Sequence, residues 1–165
     1  MEHNDLTAAR EMLAAGGYTC VLRRGDTVYT ATERGVKPLV RWLAEGLYAR
    51  DFSAADRVGG RATAYLYRLL GVTEVYARVM SRAAAEVLED GGIRHSCDSL
   101  VDNIINRQGT GICPFEAAVL HIGDPETALT AIREKMAELN IRLCKKDVLL
   151  LQYVLSSFSP PGMVW

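Results

Sequence analysis

The stretch N-R-Q-G-T-G-I-C-P-F-E-A-A-V (106–119) brings a cysteine to what its proline predicts is the first turn of a helix. A helix start concentrates unpaired N–H groups and positive dipole, which favours a thiolate, so Cys113 is a candidate nucleophile. Glu116, three residues on, is the candidate proton carrier, although its charge also repels a thiolate on the same turn. No histidine adjoins Cys113, and the plainer reading is a small, partly buried residue before Pro114. Two more predicted helix starts, 56–61 and 81–82, share the anion-binding potential of 110–114. Gly59 and Gly60 let a ligand approach the backbone, Arg61 offers a charge and Ser81 a cap, while Asn106 and Arg107 add an amide and a fork of donors. These six residues are the candidate ligand contacts. Their structural alternatives are close helix packing for the glycines, a solvated Arg61 and a helix C-terminus at Asn106-Arg107. His95, Cys97, Cys113 and His121 match no zinc spacing, so neither a metal nor another cofactor is expected.

Positioning these residues requires an ordered alternation of elements. Leu6, Ala9, Arg10 and Leu13 predict an opening helix that Gly16-Gly17 ends. The β-rich runs 18–23 and 27–31 flank Gly25-Asp26 and predict an antiparallel hairpin. A helix follows from Val36 to Glu45, then a poor strand, a glycine-rich junction and a helix with Ala62, Tyr65, Leu66 and Leu69 on one face. A strand at 74–80, a helix capped by Ser81 and closed by Gly91-Gly92, and the run 93–97 complete a βαβ pattern. Asp98 is expected to cap a short helix through Leu100, Val101, Ile104 and Ile105. Pro114 starts the next helix, and Asp124-Pro125-Glu126 starts a longer one. The segment 145–158 predicts an amphipathic helix, followed by an irregular tail. Trp42, Tyr65, Tyr67 and Tyr76 are read as core and interface.

The 165 residues suit one core, with residues 1–140 as the domain and 141–165 as a C-terminal helix and tail covering a sheet edge or a contact with a second copy, giving a homo-oligomer. A net charge of -1 supplies no basic footprint for nucleic acid. No run of about 18 apolar residues predicts a membrane span, and four scattered cysteines without a C-x-x-C pair read as reduced thiols, so a cytoplasmic location is expected.

Taken in order, A-D-R-V-G-G-R-A-T-A-Y-L-Y, G-V-T-E-V-Y-A-R-V-M-S, N-I-I-N-R-Q-G-T-G-I-C-P-F-E and D-P-E-T-A resemble a family of unknown function, domain family 1893, with a cytidine deaminase-like fold. The resemblance implies an α/β fold, a three-layer α/β/α sandwich with a mixed sheet. It also implies that the H-x-E and P-C-x-x-C motifs of zinc deaminases would fall at 60–64 and 81–85, where this chain reads G-R-A-T-A and S-R-A-A-A. Without those ligands zinc-dependent deamination is not expected. The expectation is a zinc-less protein holding a small polar or nucleotide-like ligand in the old cleft. A metal-independent enzyme using Cys113 and a structural or regulatory interaction module are the alternatives.

Overall fold

The structure is a computed structural model and describes residues 4–143. Helix α1 (Asp5–Ala15) precedes the hairpin β1 (Cys20–Arg24) and β2 (Thr27–Ala31), which leads to α2 (Lys37–Ala44). Strand β3 (Ser53–Gly59), helix α3 (Arg61–Leu70), strand β4 (Glu74–Ser81), helix α4 (Arg82–Asp90) and strand β5 (Arg94–Val101) then alternate. The short α5 (Pro114–Ala118) and the longer α6 (Pro125–Glu138) follow.

The five strands form one mixed sheet in the order β2-β1-β3-β4-β5. β1 runs antiparallel to both neighbours, whereas β3, β4 and β5 are parallel. A two-residue turn closes the hairpin, and Gly25 supplies its positive φ of 57°. On one face of the sheet, Ala9 and Leu13 of α1 pack on Val21, Ala55 and Tyr76. The other face carries the larger core, where Leu22, Ala54, Val75 and Ala77 meet Leu39, Leu66 and Leu88 from α2, α3 and α4. Ile132 of α6 joins that core. The architecture is therefore α/β with helices on both faces, as in a three-layer sandwich.

β3 is a poor strand by composition and yet the middle strand of the sheet. Its alanines make sense there: Ala54 and Ala55 face opposite layers and are both fully buried, so small side chains let helices close on each side. Among the described residues no helix is long and apolar enough to cross a membrane.

The predicted helix after Asp98 is absent; β5 instead continues through these residues to Val101, which pairs with Ser81. Asp98 caps nothing and accepts the Tyr76 hydroxyl at 2.6 Å. Leu100, Val101, Ile104 and Ile105 fit helical spacing, but pairing with β4 is non-local and outweighs the local pattern. Asn106 and Arg107 sit in a turn rather than at a helix end: the Asn106 side chain accepts the Thr110 amide at 3.0 Å, and Ile105 bridges to Ile112. The predicted helix 145–158 and its tail lie outside the described residues.

Candidate functional site

Where β3 gives way to α3, the chain must satisfy the first N–H groups of α3, and Gly60 has no side chain to cap them. Glu116 of α5 does this from 54 residues away along the chain: its carboxylate accepts the Arg61 amide at 2.9 Å and the Ala62 amide at 3.0 Å. Glycine at position 60 is required by that approach, since a Cβ there would stand 2.3 Å from Glu116 Oε1. The positive end of the α3 dipole is thus met by a carboxylate of the chain itself.

Beside this junction lies a cavity of about 680 Å³. Gly60, Asn106, Arg107, Cys113 and Glu116 line it, so five candidates from distant stretches converge. Cys113 is half-buried on the wall, and its amide donates to the Ile104 carbonyl at 2.9 Å. Among the described residues its sulfur has no hydrogen-bonding partner that would act as a base.

Gly59, Arg61 and Ser81 do not line the cavity. Gly59 lies close against β4, where a Cβ would meet that of Ala77 at 3.1 Å. Ser81 is buried and caps α4, accepting the Ala84 amide at 3.1 Å. The Arg61 guanidinium reaches past the end of α5: Nε donates to the Val119 carbonyl at 3.1 Å and Nη2 to the Ile122 carbonyl at 2.7 Å. Tyr65 backs this clamp through its hydroxyl, 3.1 Å from Nη2. With its donors so directed, Arg61 holds the cavity wall together.

The cavity also contains a buried group that sequence reading did not single out. Cys20 and Asp56 are cross-strand partners in β1 and β3, so both side chains leave the sheet on the cavity side. Asp56, 9% exposed, accepts the Tyr67 hydroxyl of α3 at 2.6 Å and the Val58 amide at 3.2 Å. The Tyr67 oxygen also lies 3.2 Å from Cys20 Sγ. Burial raises the Asp56 pKa to about 6, against the opposing pull of the Tyr67 hydroxyl and nearby backbone amides. Burial, reinforced by the Asp56 charge, pushes Cys20 and Tyr67 well up, so both keep their protons at neutral pH. The available signal was a single acid inside A-A-D-R-V, but its inward facing depends on register.

Chemically, this is a pocket with two acids in its wall, apolar sides and exposed arginines, Arg34 and Arg107, at its surface. The donor set does not suit zinc. The segments beginning α3 and α4, to which the deaminase motifs would map, lack histidine, cysteine and carboxylate, and the carboxylate reaching the α3 start is used as a cap. Among the described residues no three His, Cys, Asp or Glu side chains group to hold a metal, and His95 is paired with Glu89 at 3.0 Å.

The model of a domain of unknown function, DUF1893, matches residues 8–136. The chain belongs to this family. A crystal structure of a DUF1893 family protein from Thermotoga maritima is similar in fold, with a TM-score of 0.74 and 24% sequence identity over 82% of this chain and 92% of that one. No curated protein matches the chain. Membership spans the sheet, the helices over it and every cavity-lining candidate, while carrying no named activity.

Proposed function

We propose that this DUF1893 protein binds a small polar or nucleotide-like molecule in the cavity between β3, the start of α3 and the 102–116 segment. The observation that carries this reading is a cavity of about 680 Å³, the size of a small-ligand site, with two buried carboxyl groups in its wall. The cavity opens to the surface beside Arg34 and Arg107, where a ligand could enter, and buried acids oppose folding unless something offsets them. Asn106 and Arg107 are the contacts for a ligand's polar or anionic part, Gly60 brings backbone to the wall, and Arg61 positions the α5 turn. Gly59 and Ser81 act as packing and capping residues behind the site. A zinc-less descendant of the deaminase arrangement fits these roles, in a cytoplasmic setting where Cys20 and Cys113 stay reduced.

The test is a thermal-shift panel of nucleosides, nucleotides, nucleotide sugars and inorganic phosphate on the full chain, with Zn²⁺ alone in a separate well. A ligand at about 100 times its Kd adds about 2.7 kcal/mol of stability, and Ile104→Trp, a larger side chain at a partly buried position of the cavity wall, should erase the shift. No shift with any compound, or an equal shift in the filled variant, counts against the reading.

A further inference from the structure

Among the described residues Asp56 has no ion-pair partner. Glu116, its neighbour in the cavity wall, is balanced by the α3 N–H groups, whereas Asp56 accepts the Tyr67 hydroxyl and the Val58 amide, with the Arg57 amide close by. A carboxylate offers about four acceptor positions, and here Tyr67 takes one on Oδ2 and Val58 one on Oδ1. Acceptor capacity therefore stays on both oxygens, at the edge of a cavity whose other walls include the apolar Val36, Leu39, Ile104 and Phe115. Two adjacent acceptors beside apolar walls are complementary to two parallel N–H donors on a flat, apolar frame.

We propose that the cavity receives a ligand through an amidine-type edge, either an amidinium or an aminated nitrogen heterocycle, whose paired donors meet both oxygens of Asp56. This inference rests on the reading of the cavity as a small-molecule site. The groups around Asp56 are consistent with it. Tyr67 from α3 and Cys20 from β1 stay protonated and add no competing charge, and β4 places only Ala77 opposite Asp56 in the parallel register. Glu116 of α5 adds negative charge to the same wall, and Cys113 lies in the preceding loop. Among the described residues Arg34, Arg57 and Arg107 are the cations lining the cavity; none forms an ion pair with Asp56, and they suit an anionic group elsewhere on the ligand. Because Asp56 titrates near about 6, pairing with a cationic amidine is complete well above that pH and is lost as pH falls through it.

Benzamidine is the probe, with benzoate, the same ring carrying the opposite edge, as control, each titrated calorimetrically into the full chain. Benzamidine should bind the native protein at about pH 7, roughly tenfold more weakly at about pH 5, and at least roughly tenfold more weakly in Asp56→Asn, while any benzoate binding, to the cavity's arginines, should weaken in neither case. Tyr67→Phe, which keeps the carboxylate but removes a hydrogen bond that holds its pKa down, should bind with the pH midpoint moved upward. Absence of benzamidine binding to the native protein, or equal affinity in a folded Asp56→Asn variant, overturns the proposal. If Asp56→Asn does not fold, an unmoved midpoint in Tyr67→Phe overturns it instead. Binding of a nucleotide with an aminated base that Ile104→Trp blocks but Asp56→Asn leaves intact would sink the amidine edge and keep the cavity as a site; failure of every ligand of the panel to bind sinks both.

Discussion

Burying Asp56 in the cavity wall works against folding at neutral pH. In the unfolded chain an aspartate ionises near about pH 4, and in the folded protein Asp56 ionises near about 6. Its contribution to stability is therefore fully present below about pH 4 and is lost as pH rises through about 6, a difference of about 3 kcal/mol. Asp56→Asn should remove that component: the gap in urea-unfolding free energy between variant and native protein should move in the variant's favour from about pH 4 to about pH 7, and a gap independent of pH contradicts the assignment. Glu116 gives a second residue-scale prediction. Glu116→Ala leaves two buried amides without their acceptor and should cost about 1–3 kcal/mol. Gly60→Ala should be similarly destabilising in the native background but nearly neutral when combined with Glu116→Ala, because its clash is with that carboxylate. At this scale the sequence was only partly legible. The place of Glu116 three residues after Cys113 points to a partner on its own turn, whereas its oxygens act on a helix 54 residues back. Nothing local in F-E-A-A encodes that reach.

Elements whose ends are written in their own residues were the legible ones. Ser81 caps α4, Asp124 caps α6 and Gly71, at a φ of 81°, closes α3, each within a few residues of the helix it serves. Ser81→Ala should accordingly cost about 1 kcal/mol in denaturant unfolding without changing ligand binding. β5 was not legible past Cys97, because an edge strand held by one neighbour and exposed along much of its length lacks the apolar alternation that marks a strand. α5 is a short element of five residues, too short to be stable alone, and its end is held by the Arg61 clamp on the Val119 and Ile122 carbonyls. Arg61→Ala should therefore destabilise the protein by about 2 kcal/mol and raise amide hydrogen exchange across 114–123. Unchanged exchange there would return Arg61 to the role of a ligand contact.

Across the whole molecule, the βαβ alternation with one antiparallel hairpin was readable because each strand and helix carried its own period, and the sheet order follows the rule that parallel neighbours join through a helix. The sequence pointed to three helix starts, of which only those of α3 and α5 border the cavity, while the α4 start at Ser81 does not. The cavity's acidic wall depended on register between β1 and β3 and on a contact between α5 and α3, neither of which a linear pattern specifies. A protein that keeps a buried acid near its titration point beside a cavity departs from what stability alone favours, and the proposed binding role is what would offset that cost. The most direct measurement is a backbone amide NMR titration of the full chain with whichever compound of the panel stabilises it most. The account predicts saturable shifts centred on Val58, Gly60, Asn106 and Cys113, absent in a folded Ile104→Trp variant. Shifts centred on another surface, with these four amides unmoved, would contradict it.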